Sequence, residues 1–165
     1  MKTPAKNNVL RYLEKCDIDY ICHTYDVSDG RLDAVSVAGK IGKDPEQVFK
    51  TLVTRSAAKS CFVFIVPGCC ELDLKKAAAA AGVKSVEMLS SKELLPLTGY
   101  VHGGCSPFGM KKLYPTFVDE TCQLYSTICV SAGCIGMNVE IAPEQLVKYT
   151  PAEIADLTLP GKYKI

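Results

Sequence analysis

Cys61-Phe62-Val63-Phe64-Ile65-Val66-Pro67 is an unbroken apolar run, and no other stretch limits the fold as much. It reads as a central strand buried on both faces, because a half-exposed strand alternates apolar with polar residues. Ser56-Ala57-Ala58-Lys59-Ser60 separates it from a second strand-like run, Val48-Phe49-Lys50-Thr51-Leu52-Val53-Thr54. The two make a hairpin with a five-residue connection. A sheet buried on both faces needs helices to cover it, which places the chain in the mixed α/β class.

The flanking segments supply those helices. Thr3-Pro4 has the signature of an N-cap followed by proline at the first helical position. Val9, Leu10, Leu13 and Cys16 then recur at helical spacing, predicting a helix to about Lys15. Residues 20–25 alternate as a short strand before a polar loop over 26–31. Val35, Ala38 and Ile41 form one face of a second helix stopped by Gly42, and Asp44-Pro45-Glu46-Gln47 is a capped turn. Residues 72–81 read as an alanine-rich helix stopped by Gly82. Residues 83–88 follow as a short strand, and Ser90-Ser91-Lys92-Glu93 is a capping box for a brief helix to Leu97. Further strands are expected at Thr116–Asp119, 127–130 and Met137–Ile141, with 131–136 as the turn between the last two. Pro143–Tyr149 reads as a helix, and Thr150-Pro151-Ala152-Glu153 as the cap of a final one. With no repeat and no linker-like stretch, residues 1–165 are expected to form one domain.

The net charge of +1 excludes binding driven by a global positive field, so any nucleic-acid contact must use a local patch. No apolar run approaches the roughly 20 residues of a membrane span, and the amphipathic start is unlike a signal segment. A cytoplasmic protein that does not engage membranes is expected. The nine cysteines are odd in number, form no C-x-x-C, and stand beside only two histidines, His23 and His102. That pattern argues against a disulfide framework and a structural zinc site. Most of the cysteines are expected to be small buried hydrophobes. Neither a metal nor a cofactor is expected.

Three segments carry candidate chemistry. Lys50 interrupts an apolar strand, where an ammonium either snorkels to water or is held against an anionic or carbonyl oxygen. Gly103-Gly104-Cys105-Ser106-Pro107-Phe108-Gly109 is neither a Walker loop nor a dinucleotide fingerprint. Its glycines let a ligand approach the backbone, although such residues also mark ordinary turns. Ser131-Ala132-Gly133-Cys134-Ile135-Gly136 likewise brings a hydroxyl and two glycines to the mouth of a hairpin. His102 beside the first loop is a candidate general base, whereas His23 reads as structural. Lys111-Lys112 suits either nucleic-acid phosphates or a solvated surface pair.

Taken together, Val48–Val53, Leu72–Lys76, Gly99-Tyr100, Gly103–Gly109 and Val130–Gly133 through Glu140 resemble the YbaK family. Its members are free-standing relatives of the editing domain inserted in bacterial prolyl-tRNA synthetases, and the likeness runs from about Lys6 to Leu157. The resemblance implies an irregular, barrel-like mixed sheet flanked by helices. It also implies an aminoacyl-tRNA deacylase that removes cysteine in trans from Cys-tRNA(Pro), or also from Cys-tRNA(Cys), with prolyl-tRNA synthetase as a candidate partner. By the same resemblance Lys50 is the key residue, and Tyr25, Thr51, Gly103, Gly104, Ser131, Ala132, Gly133 and Asn138 fall on substrate-binding positions. Asn138 stands where relatives often carry aspartate, and the loop over 26–34 lacks an aromatic that some relatives have; both leave the substrate preference open. An Ala-tRNA(Pro) deacylase, and a non-catalytic module binding tRNA or a synthetase, are the alternatives.

An aminoacyl ester is already activated, so orientation and oxyanion stabilisation suffice to accelerate its loss. The chain has no G-x-S-x-G elbow and no evident triad. A thiolate at Cys105 would need a base or a helix N-terminus, and only His102 is nearby in sequence. The thiol of the charged cysteine itself is then the expected nucleophile. Branched residues at Gly104 or Gly133 are expected to weaken activity more than stability.

Overall fold

The computed structural model describes residues 7–163, so the Thr3-Pro4 cap lies outside the described residues. In order, the first half runs α1 (Asn8–Lys15), β1 (Ile21–Thr24), α2 (Ala34–Ile41), β2 (Phe49–Ser56), β3 (Cys61–Pro67), β4 (Cys70–Leu72), α3 (Leu74–Ala81) and β5 (Val86–Met88). The second half runs α4 (Ser91–Thr98), β6 (Thr116–Asp119), β7 (Ile128–Cys134), β8 (Met137–Ile141), α5 (Pro143–Tyr149), β9 (Glu153–Ala155) and β10 (Thr158–Tyr163).

β3 is central, as its apolar run demands. The main sheet has the order β5-β2-β3-β6-β9. β2 pairs antiparallel with β3, Lys50 opposite Val66, while β3–β6 and β6–β9 are parallel. On one face Phe62, Phe64 and Val66 pack with Phe117 and with Ala77 and Ala78 of α3. On the other, Val63 and Ile65 pack with Phe49, Val53, Leu13, Ile128 and Val139. Both faces are covered, so no polar residue interrupts the strand. A small antiparallel sheet, β1-β8-β7, closes over the second core, and a parallel bridge from Val48 to Cys129 joins it to the main sheet. The β4–β10 pair forms a third sheet. The arrangement is barrel-like without being a complete barrel.

The helix stops are set locally. Gly42 and Gly82 take left-handed conformations at φ 70° and 72°, which cost glycine little. α1 is capped by Asn7, whose Oδ1 accepts from the Leu10 N–H at 2.9 Å while its Nδ2 donates to the Ala132 carbonyl at 2.8 Å. At Ser90 the capping box is altered: Ser90 Oγ donates to Glu93 Oε1 at 3.0 Å and makes no cap bond to the backbone.

Three expectations are corrected by strand pairing. Leu72 leaves the predicted third helix and ends β4, which pairs with β10, and Asp73 caps the helix instead, accepting from Lys75 and Lys76 N–H. Residues 131–134 continue β7 and do not turn. Gly133, at φ 91°, sits where the β7–β8 register shifts, so the strand passes through an irregularity and resumes pairing at Cys134–Met137. The expected final helix is β9, parallel to β6. Thr150 is spent closing α5, its Oγ1 donating to the Leu146 carbonyl at 2.6 Å. The sheet edge beside β6 then takes Glu153–Ala155. All nine cysteines are free, and five of them are buried.

Candidate active site

A cavity of about 180 Å³ opens where β2, the start of α2, the Gly103 loop and the β7–β8 sheet meet. Lys50, Thr51, Tyr25, Gly103, Ser131 and Asn138 all line it, although they lie far apart in sequence. Lys50 Nζ lies 3.4 Å from the Gly68 carbonyl oxygen. Gly68 in turn donates its N–H to the Val48 carbonyl at 2.8 Å. A Cβ on Gly68 would fall 1.9 Å from Ala34 Cβ, so glycine is what lets α2 pack against the turn that holds Lys50. Thr51 is 9% exposed, and its Oγ1 has no hydrogen-bond partner among the described residues. Ser131 and Asn138 are directly paired across β7–β8, and paired residues share a face.

The other three predicted positions do not line the cavity. Ala132 is fully buried in the main core. A Cβ on Gly133 would lie 2.8 Å from Val9 Cγ2 and 3.0 Å from Tyr100 Cε1. One on Gly104 would lie 3.1 Å from the Cys134 and Ile135 backbone. Both glycines are packing points under the cavity wall. Branched residues there strike packed atoms, so stability is expected to fall along with activity, which corrects the order expected from sequence.

Sequence reasoning passes over the wall formed by Leu32, Asp33, Ala34 and Val37. Its legible signal is Asp33 as an N-cap. The Asp33 carboxylate accepts from Ser36 Oγ at 2.7 Å and from the Ser36 N–H at 3.0 Å, and these bonds hold it below the usual carboxylate range. Cys105 also lines the cavity, but burial pushes its thiol up to about 12. That is the reverse of an activated nucleophile. His102 lines the exposed rim, and among the described residues no carboxylate bonds to it.

Next to the cavity, on the same face of the small sheet, Glu140 anchors an ion-pair network. Its carboxylate accepts from Thr127 Oγ1 at 2.6 Å and meets His23 Nε2 at 2.8 Å and Lys43 Nζ at 3.0 Å. Burial alone would raise this carboxyl; the three partners outweigh it and hold it at about 2. Cys129 brings a sulfur within 4.8 Å of the His23 and Glu140 ligand atoms, but Glu140's oxygens are already engaged by Lys43 and Thr127. His23 is therefore part of the network and outside the cavity lining.

A pH dependence follows from Glu140. The folded value lies below the ordinary 4.5, so its contribution is complete above pH ~4.5 and is lost as the pH falls towards 2. The shift corresponds to about 3 kcal/mol. Urea unfolding measured between pH 5 and 2 should show a steeper loss of stability for the wild type than for Glu140→Gln. Parallel curves would remove Glu140 as the acid-sensitive element.

The sequence model of the aminoacyl-tRNA editing domain matches residues 30–149. A protein of Enterococcus faecalis, EbsC, named as an inferred Cys-tRNA(Pro)/Cys-tRNA(Cys) deacylase, is 45% identical over 157 residues, covering 95% of this chain and 96% of its own. Two crystal structures share the fold. One, described as an inferred trans-editing enzyme for prolyl-tRNA synthetase, superposes with a TM-score of 0.80 at 24% identity, covering 94% of this chain and 99% of that one. The other, of a hypothetical protein, superposes with a TM-score of 0.84 at 22% identity, covering 93% and 100%. With a cavity built from a strand lysine, the Gly103 loop and the β7–β8 pair, and with that match over most of its length, the chain belongs to the aminoacyl-tRNA editing domain family.

Proposed function

We propose that this protein is a trans-editing deacylase that removes cysteine from mischarged Cys-tRNA(Pro), and also from Cys-tRNA(Cys). The observation that carries the reading is a cavity that pairs one ammonium, Lys50, with hydroxyl, amide and backbone groups and offers no activated protein nucleophile. Its likeness to EbsC supports the choice of cysteine as the aminoacyl group.

In this reading the substrate's own thiol attacks its ester carbonyl carbon. A sulfur–carbon bond forms, closing a small thiolactone. The carbon–oxygen bond to the ribose breaks, and the thiol's proton ends on the departing ribose oxygen. The protein's part is to fold the aminoacyl group into the reactive shape and to stabilise the oxyanion. Lys50 faces the carbonyl oxygen, and the Thr51 hydroxyl, unpartnered among the described residues, is a donor ready for substrate. Tyr25, Gly103, Ser131 and Asn138 enclose the amino acid. Gly104, Ala132 and Gly133 keep that wall in place from beneath. The net charge of +1 gives weak long-range attraction for tRNA, so prolyl-tRNA synthetase is the partner we assign for tRNA selection.

Deacylation of Cys-, Ser-, Ala- and Pro-charged tRNA(Pro) tests this. Cys-tRNA should turn over far faster than Ser-tRNA, because a hydroxyl is a much poorer nucleophile, and Cys105→Ser should retain most of the wild-type rate. A covalent acyl group trapped on Cys105 would overturn the substrate-thiol route. Equal release of alanine and cysteine would point to an Ala-tRNA(Pro) deacylase, and no release at all to a binding module.

A further inference from the structure

The Gly103–Gly109 loop has a second side. Cys105 lines the candidate active site, while Pro107, only two residues on, lines a separate cavity of about 120 Å³. Two residues of extended chain span at most about 7 Å, so the two cavities share one buried partition. Residues 104–108 are all buried, which makes that partition a solid wall.

The second cavity is aromatic. Tyr12, Phe108, Tyr114 and Tyr149 line it, with the Tyr12 and Phe108 ring centroids 6.0 Å apart. Tyr114 and Tyr149 turn their hydroxyls away, donating to the Leu97 carbonyl at 2.7 Å and the Cys16 carbonyl at 3.2 Å. That leaves mainly ring surface for an occupant. At the mouth stand the exposed Lys112 and Leu113, the latter 77% exposed. Lys111 adds a second exposed cation, its N–H donating to the Thr98 carbonyl at 3.1 Å and its side chain packing on Gly99.

Flat ring surface flanked by cations recognises a nucleotide: the base stacks and the phosphate meets the ammonium. We propose that this cavity receives a nucleobase of the single-stranded 3′ end of the aminoacyl-tRNA, one or two nucleotides before the residue whose ester enters the first site. The inference rests on the deacylase reading. Charge complementarity and the shared wall favour this strand as the occupant: its terminal ester already sits across the Gly103–Gly109 loop, and the next nucleotides carry the negative charge that Lys111 and Lys112 complement. It also gives the Lys111-Lys112 pair a role that the catalytic cavity does not use.

The test compares two substrates. One is a cysteinyl minihelix ending in the full single-stranded 3′ sequence. The other is cysteinyl-adenosine, which carries the ester alone. Wild-type protein should show a lower KM for the minihelix. Tyr114→Leu should reduce that preference by about 5- to 100-fold, the effect of losing one stacked base. Lys112→Ala, a surface change that threatens no core packing, should lower the salt slope of minihelix KM by about 0.7. In addition, a cytidine dinucleotide should shift the NMR resonances of Tyr12, Phe108 and Tyr149. Wild-type turnover of both substrates with the preference and salt slope intact in both variants would overturn the nucleobase site and leave the deacylase reading standing. No wild-type turnover of either substrate would overturn both.

Discussion

Lys50→Ala is expected to leave a folded protein whose single-turnover deacylation of Cys-tRNA(Pro) falls about 10²–10³-fold, the loss typical of removing one oxyanion donor. Lys50 is held on β2 by its pairing with β3 opposite Val66, and β5 pairs with the far end of the same strand at Thr54–Ser56. Its ammonium is aimed at the Gly68 carbonyl and lines the cavity. The stem contributes packing that alanine removes, so Lys50→Met serves as the companion variant, keeping the length and deleting the charge. Both should lose activity to a similar degree while thermal unfolding shows Lys50→Met near wild type. Near wild-type turnover in Lys50→Met would reduce Lys50 to a snorkelling side chain and shift catalysis onto the backbone amides.

Gly68→Ala is expected to disturb the fold and the site together. The new methyl would lie 1.9 Å from Ala34 Cβ and 3.2 Å from the Val48 carbonyl oxygen. Carbon atoms pack at about 3.5–4.0 Å, so α2 must move outward by about 2 Å or the turn must give way. Overpacking of this kind costs ~1–3 kcal/mol, and each kcal/mol lowers Tm by about 2–4 °C at this chain length. Activity should fall as well, because Asp33, Ala34 and Val37 form a wall of the cavity and the Gly68 carbonyl orients Lys50. Ala34→Gly in the same molecule removes the opposing methyl and should recover most of the lost Tm. The pair is in contact, so such coupling is expected. An unchanged Tm in Gly68→Ala alone would show that α2 is not held by this contact.

Several features are legible in the order of the amino acids. The run over Cys61–Pro67 requires burial on both faces, and α3 with the small sheet supply it. Gly42 and Gly82 end their helices because a left-handed residue is a local demand, met within one turn. Lys50 stands out because a cation inside an apolar strand needs a reason. The resemblance carried by the Lys50 strand, Leu72–Lys76, Gly99-Tyr100, Gly103–Gly109 and the segment from Val130 to Glu140 points to the editing-domain family, to which the chain belongs.

Other features need the folded chain. β4 and β9 are three residues each, too short to carry a readable period, and they exist because a partner strand offers hydrogen bonds. Gly133 reads as a pocket turn in the sequence, but its φ of 91° serves a strand irregularity over Val9 and Tyr100. The Glu140 network joins residues from β1, β8, the segment after α2 and the segment before β7. The wall at Asp33–Val37 and the contact between Gly68 and Ala34 likewise depend on how α2 lands on the sheet. Caps and strand runs are governed by residues within a few positions of one another, so the local sequence dictates them. The cavity, its packing glycines and its charge network are made of pairings between distant residues, and these come into being when the sheets and α2 pack together.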